Sequence, residues 1–447
     1  MAGRARRAAV QALTQVHRAK GYSNIVLDQQ IRAQEMEPAD QALFSRIFYG
    51  VIERQLTIDY VLSECSSVPL HKIHPIVLEI LRTGLYQLLF LDKIPPSAAV
   101  NEAVNLTKSM GQSKASGFVN GVLRGVIRRQ GEILAKLPDT PDGWEIRYSC
   151  PRAWIDLWMN SYGEETARRL LEKLNEVPDV ALRVNTLQTT PEAFGHLLEE
   201  AGISYSWVEH LPGCCRVEDG ISLKRLAQTV KNWYYHQDTA SQWCCLALGA
   251  QPGERVADVC AAPGGKSLTV AQYMDNRGEI LAGDVYPAKC DAMERRAQEL
   301  GVSILCTAAR DASKPVPEPL RGTFDRVICD VPCSGLGVIR RKPEIRYRDP
   351  ASVAALPALQ YAILEQAAAL VRPRGVLQYS TCTLNPAENE EIADRFLQEH
   401  PEFSPRILPL TACFAAAGQT PSAKLTLFPH IHGSDGFFIA GFVKQSG

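Results

Sequence analysis

Along the first 145 residues apolar side chains recur at three- and four-residue spacing, the pattern that lines one face of a helix. Leu43, Ile47, Phe48, Val51 and Ile52 form one stripe, and Val77, Ile80, Leu81, Leu85, Leu88 and Leu89 form another. Pro95-Pro96 stops a helix, and Ser97 is placed to cap the next, which carries Val100, Val104 and Leu106. Gly117-Phe118-Val119-Asn120 opens a last helix with Val122, Leu123, Val126 and Ile127, its Arg124, Arg128 and Arg129 on other faces. The Arg-rich opening, free of acids before Asp28, resembles an organelle transit peptide in composition. Val10, Leu13 and Val16 keep helical spacing, which favours a basic first helix. Residues 1–145 thus read as an all-α domain, either a packing module or one that docks RNA through its basic first and last helices.

Leu137 to Gly143 is rich in Pro, Asp and Gly and reads as a linker. From 146 to 235 the pattern mixes strands at Ala181–Val184 and Ile203–Val208 with a helix at Pro191–Ala201, a small α/β subdomain. From His236 to the last residue, 447, strands and helices alternate regularly. Strands are expected at Arg255–Val259, Gly278–Gly283, Ser303–Thr307, Phe324–Ile328, Gly375–Tyr379 and Gly436–Val443. Helices are expected at Lys266–Met274, Pro287–Leu300, Ala354–Val371 and Glu388–His400. Such alternation predicts a parallel, doubly wound sheet, its last strands antiparallel, with ligands outside the carboxyl ends of the strands.

A chain of 447 residues exceeds one core, and its net charge of −1 leaves any nucleic-acid contact to local patches. The 13 cysteines include no C-x-x-C pair, so most read as buried free thiols in a reducing, cytoplasmic setting, with no metal site. No run reads as long and apolar enough for a membrane span.

The candidate chemistry lies at the strand ends. Arg255 to Ser267, R-V-A-D-V-C-A-A-P-G-G-K-S, is a strand that turns through Pro263-Gly264-Gly265 into a helix, bringing backbone N–H groups towards a ligand. Gly265-Lys266-Ser267 fits the end of a phosphate-binding P-loop, but Cys260 stands where its first glycine belongs. Asp284 ends the next strand, where an acid takes up ribose hydroxyls, and Asp311 and Asp330 follow the next two. Together these describe a nucleoside-cofactor site, and S-adenosylmethionine, which carries no phosphate, needs no full anion cradle.

Two cysteines follow strands within special turns: Cys333 in D-V-P-C-S-G and Cys382 in Y-S-T-C-T. A thiol beside a methyl donor suits methylation at a weakly nucleophilic ring carbon. Adding a thiolate at C6 of cytosine makes C5 an enamine carbon able to attack a sulfonium methyl. Asp330 could bond the base edge at N3 and N4.

D-V-C-A-A-P-G-G-K-S, D-V-P-C-S-G, Y-S-T-C-T and the late D-G-F-F-I-A resemble the motif series of RNA cytosine-5 methyltransferases. The resemblance implies a Rossmann-like class I methyltransferase domain over 236–447, with Cys382 as nucleophile and Cys333 assisting release of the methylated product. It implies that Cys260, Ala261, Ala262, Pro263, Gly264, Gly265, Lys266, Asp284, Asp311 and Asp330 surround S-adenosyl-L-methionine, with Lys266 also near the reacting centre. Val331 stands where that family more often has Ala. The helical part resembles the NusB-type RNA-binding fold at Gly21-Tyr22-Ser23, at Ile80 to Gln87 and at Gly117 to Arg124.

The combination is similar to the Sun/Fmu (methyltransferase B) branch, whose target is one cytosine of small-subunit 16S ribosomal RNA. Transfer RNA as substrate, or a non-catalytic RNA-binding or antitermination role, are the competing readings. Val338 to Arg348, directly after D-V-P-C, suits phosphate contacts through Arg340, Arg341, Lys342, Arg346 and Arg348, with Tyr347 beside a splayed base. Arg183 and Asn185 are expected to help hold RNA. The target cytosine is expected to leave its stack, and the protein to act as a monomer away from membranes.

Overall fold

The computed structural model of the chain describes residues 3–19, 23–34, 36–218, 226, 230–410, 413–414 and 420–446. Gly21 and Tyr22 of the helical signature lie outside the described residues. The chain forms two compact units, one from Met1–Glu176 with Ile339–Arg348, the other from Val177–Val338 with Asp349–Gly447.

The first unit is helical, as the apolar spacing predicts. Its helices include Arg4–Ala19, Pro38–Glu53, Gln55–Cys65, Pro75–Phe90, Pro96–Ser109 and Ser116–Ala135. Phe44, Ile47, Phe48, Val51, Ile80, Leu81 and Leu85 are buried in one core, and Leu43, Leu88 and Leu89 pack at its margin. Proline opens several of these helices, where its missing N–H costs nothing. Pro96 therefore starts the helix that Ser97 was expected to cap, and Ser97 sits inside its first turn. The linker expected at Leu137 to Gly143 runs into a further helix, Pro141–Tyr148.

Arg82 donates from Nε and one amino group to Asp59 and from the other to Glu79 at 2.7 Å. Glu79 in turn meets His17 Nδ1 at 2.9 Å. These acids keep the buried guanidinium protonated, Glu79 contributing most against the burial that alone would lower its pKa.

Ile339–Arg348 completes this unit and corrects the RNA expectation for two of its residues. Arg346 is fully buried, donating to Glu53 O at 2.6 Å, Ser149 O at 3.1 Å and Asn175 Oδ1 at 3.2 Å. Tyr347 donates to Ile52 O at 2.9 Å and packs on the helical core. Neither is free for a phosphate or a base. Arg341 and Lys342 are exposed, and Arg340 and Arg348 are half-buried.

The second unit holds two sheets. The smaller comprises β1 (Val180–Val184), β2 (Tyr205–Trp207), β3 (Cys214–Val217) and β4 (Tyr234–His236), antiparallel in the order β2-β3-β1-β4. Helix Pro191–Glu200, capped by Thr190, buries Phe194 and Leu198 in the same core. Arg183 and Asn185, expected to hold RNA, are buried instead. Arg183 donates to Gln272 Oε1 at 2.8 Å and stacks on Tyr273, while Asn185 donates to Asn232 O and Leu300 O at 2.9 Å.

The larger sheet comprises β5 (Arg255–Asp258), β6 (Glu279–Asp284), β7 (Leu305–Ala309), β8 (Phe324–Asp330), β9 (Val371–Thr381), β10 (Phe403–Pro405), β11 (Lys424–Leu427) and β12 (Phe437–Lys444). Its order is β10-β12-β9-β8-β5-β6-β7, parallel from β7 to β9, with β10, β11 and β12 antiparallel. The strand order reverses between β5 and β8, so a crevice opens at their carboxyl ends.

The stretch Pro350–Leu370 is, contrary to the sequence reading, long and apolar enough by length and composition to cross a membrane. Its helix Leu356–Leu370 spends that character on the sheet, burying Tyr361, Leu364 and Ala367 against Phe324, Val327 and Leu377.

Gly50 leaves no room for a side chain, because a Cβ there would stand 2.0 Å from Cζ of the buried Tyr86. Gly50→Ala is expected to destabilise the helical unit by about 2 kcal/mol, read as a lower urea midpoint for the helical signal.

Candidate active site

The glycine turn expected to hold the cofactor follows β5. Gly264 takes a φ of +100°, a conformation natural to glycine, and a Cβ there would lie 3.1 Å from Met293. Ala261 N–H donates to Gly283 O and Gly264 N–H to Ala261 O, both at 2.7 Å, which ties the turn to the end of β6. Helix Gly265–Tyr273 starts immediately after, so Lys266 lies in its first turn.

Asp284, at the end of β6, accepts from Tyr286 N–H at 3.0 Å and pairs with Lys289 at 3.6 Å. Asp311 follows β7 and accepts from the amide and hydroxyl of Ser313, which hold its carboxyl below the usual range. Cys260 is half-buried, and burial, followed by the charges of Asp258 and Asp330 and then of these two acids, pushes its thiol pKa far up.

Asp330, the last residue of β8, is held from two sides. Lys266 Nζ donates to its Oδ2 and Ser380 Oγ to its Oδ1, both at 2.7 Å. Burial alone would lower the Lys266 pKa, but Asp330 and then the neighbouring thiols outweigh it, and the ammonium stays charged. That ammonium also lies 5.3 Å from the Phe437 ring. Its commitment to Asp330 leaves the P-loop resemblance without its phosphate-binding lysine. Beneath, the Cys244 thiol, pushed up to about 12 by burial, donates to Ser380 Oγ at 3.5 Å.

Cys333 and Cys382 come together: their sulfurs are 3.3 Å apart, and each side chain is partly exposed. The hydrogen bond to Cys382, then burial, raises the Cys333 pKa well above its ordinary value, so it carries its proton at neutral pH. Gly337 N–H donates to Cys382 O at 3.1 Å, and Gly436 N–H to Gly337 O at 2.9 Å. A Cβ on Gly337 would meet Gly436 O at 2.0 Å, so the late D-G-F-F segment closes onto the Cys382 turn only through glycine.

Several polar residues of the site were not singled out in the sequence. Asp258 accepts from Ser267 Oγ at 2.7 Å, both fully buried inside the glycine-turn motif. Ser334, Thr383, Glu388 and Asn389 form a buried network beneath the two cysteines. Their only sequence signal was adjacency to the cysteine motifs.

Comparison with known proteins matches this architecture part by part. The model described as 16S rRNA methyltransferase RsmB/F matches residues 245–443, the NusB family matches 3–128, and an RsmF/B-like ferredoxin-like domain matches 150–224. A probable ribosomal RNA small subunit methyltransferase B of Synechocystis sp. is 35% identical, over 98% of this chain and 99% of that one. The chain belongs to the ribosomal RNA small subunit methyltransferase B family. Its relative in Bacillus subtilis, also a probable methyltransferase B, is 33% identical over 98% of each chain.

Among solved structures, NSun6 from Pyrococcus horikoshii with SFG superposes with a TM-score of 0.58 at 22% identity, covering 66% of this chain and 99% of that one. The expected NusB-like helical domain, small α/β subdomain (ferredoxin-like) and Rossmann-like methyltransferase domain are all present. The family is S-adenosylmethionine-dependent and acts on small-subunit ribosomal RNA.

Asp258 provides a pH test of this site. Burial, opposed by the Ser267 hydrogen bond, raises its pKa to about 6 from an ordinary 3.8. The folded protein therefore holds this proton more tightly than the unfolded chain. Below pH 3.8 both states are protonated and the shift costs nothing; stability then falls as pH rises from about 4 to 6. At neutral pH the loss reaches up to about 3 kcal/mol. Asp258→Asn is expected to flatten that part of the profile, seen as a wild-type-minus-variant difference in urea unfolding between pH 4 and pH 7.

Proposed function

We propose that this protein forms 5-methylcytosine in 16S ribosomal RNA through a covalent bond between Cys382 and C6 of the base. The observation that carries this reading is the pair of thiols at 3.3 Å, at the carboxyl ends of neighbouring parallel strands, beside an Asp330 fixed by Lys266 and Ser380.

The residues around the glycine turn fit S-adenosylmethionine. Asp284, its side chain 11% exposed, offers a carboxylate to ribose hydroxyls. Oδ1 of Asp258 is buried with no partner, an acceptor in want of a donor. NSun6, which shares the fold, was crystallised with SFG, an S-adenosylmethionine analogue. The cofactor, when bound, supplies an electrophilic methyl group on a sulfonium.

This chain's residues supply the rest. The Cys382 thiolate adds to C6 and makes C5 nucleophilic. Asp330, paired with Lys266 and aimed by Ser380, accepts from the N4 amino group of the base edge and so orients the ring. After methylation C5 loses its proton to a base, the C6–S bond breaks, and Cys382 leaves as thiolate. Cys333, in contact with that sulfur, supports the release step. Reaching C6 requires the cytosine to leave its stack. Arg341 and Lys342 are exposed and Arg340 and Arg348 half-buried, and RNA phosphate contacts from the basic run are assigned to these four.

Cys382→Ala is expected to abolish methyl transfer to 16S RNA, and Cys333→Ala to accumulate a protein–RNA adduct visible as a mass increase. Full turnover by Cys382→Ala would overturn the assignment. Bisulfite mapping of ribosomal RNA from cells lacking the protein should show one cytosine unprotected. Arg341→Ala with Lys342→Ala is expected to weaken RNA binding and to reduce the salt slope by about 1 to 2 units.

A further inference from the structure

Glu388 is a carboxylate with no exposed surface, at the end of the short turn Pro386–Glu388 after β9. Its Oε1 accepts from Ser334 Oγ at 2.5 Å and Asn385 Nδ2 at 2.9 Å. Its Oε2 accepts from Ser334 N–H and from Gln360 Nε2, both at 2.8 Å. Gln360 Nε2 also donates to Pro332 O at 3.0 Å. The peptide groups on both sides of Cys333 are therefore pinned, one directly by Glu388 and one through Gln360.

The next residue, Asn389, holds the two neighbours of Cys382, one by its hydroxyl and one by its carbonyl. Thr381 Oγ1 donates to Asn389 Oδ1 at 2.5 Å, and Asn389 Nδ2 donates to Thr383 O at 3.0 Å. A carboxylate only accepts, so the Ser334 hydroxyl proton points at Glu388, and the 2.6 Å contact with Thr383 is a bond donated by Thr383. The chain Thr383–Ser334–Glu388 thus ties one cysteine turn to the other.

A buried charge met by four neutral donors is poor economy for stability alone, since apolar side chains of similar volume pack at lower cost. It is a good way to fix direction, because four acceptor positions are filled at once.

We propose that the dipeptide Glu388-Asn389 is the positioning unit that sets the distance between the Cys333 and Cys382 sulfurs, and with it the release step. The second half of that statement rests on the cytosine reading above; the first does not. In Glu388→Gln one carboxylate oxygen is replaced by an NH2 that faces two donors, and the Cys333 turn loses half its anchorage.

The test uses full-length protein and the thiol oxidant diamide. The two thiols give two electrons and two protons to its N=N bond, leaving a disulfide and a hydrazine. Mapping the Cys333–Cys382 disulfide by mass spectrometry reads the distance without RNA or cofactor. Glu388→Gln and Asn389→Ala are expected to form it about tenfold more slowly than wild type, with the melting curve retained. With RNA and S-adenosylmethionine, Glu388→Gln should lower kcat about tenfold while KM for RNA stays within about twofold, and adduct should persist.

Gln360→Met, which frees Pro332 O without adding a donor, serves if the first variants do not fold, with an expected slowing of about threefold. Wild-type disulfide rates in folded variants would overturn the positioning role. Slow disulfide formation with no adduct in any variant would keep that role and sink the covalent reading instead.

Discussion

In the parallel ladder between β8 and β9, Asp330 lies opposite Ser380, two positions beyond Ile328 opposite Gln378. That register lets one carboxylate be gripped by a hydroxyl from the neighbouring strand and an ammonium from the helix after β5. Slipping β8 by one residue would send Asp330 to the opposite face of the sheet. The core forbids the slip: Val327 and Cys329 pair with Leu377 and Tyr379, all buried against the helix Leu356–Leu370. On the other face, Gln378 donates to Cys244 O at 2.8 Å from the helix Thr239–Leu248. Ordinary packing on both sides thus decides where Asp330 stands.

The polar groups near the strand ends are expensive to bury, and each is matched to a specific partner. Lys266 and Asp330, with side chains 15% and 24% exposed, form an ion pair at 2.7 Å in which each offsets the cost of burying the other. Glu388 is met by three amide groups and one hydroxyl, and Asp258 by the Ser267 hydroxyl. Positions of this kind are where a fold gives up stability for one defined geometry.

Much of this was legible in the sequence, for identifiable reasons. The helix expected at Pro287–Leu300 forms with those bounds, because Pro287 occupies its first position and Gly301 ends it with a φ of +77°. Six of the eight strands of the large sheet carry apolar runs and were found within a few residues, while the short β10 and β11 were missed. The four-residue β3 and three-residue β4 were missed, since Cys214-Cys215 and Tyr234-Tyr235-His236 are too short to show alternation.

At the site, motif residues were found because they sit at strand ends, where topology brings them together whatever the loops do. Glu388 and Asn389 escaped because their role arises only once the turn after β9 folds back under both cysteines. The basic run misled for a related reason. Charge is a property of the residue, but whether Arg346 meets water or carbonyl groups depends on which part of the fold claims the segment.

That claim has a consequence for how the polypeptide is made. The helical unit is discontinuous: Tyr347 and Arg346 fill acceptors at Ile52, Glu53 and Ser149, yet stand beyond β8 in the chain. As the nascent chain leaves the ribosome, the first 176 residues emerge with those carbonyls still lacking their partners. All eight strands from β1 to β8 must follow before Ile339–Arg348 arrives. The usual order, in which an amino-terminal domain finishes folding before its successor is synthesised, is closed to this protein.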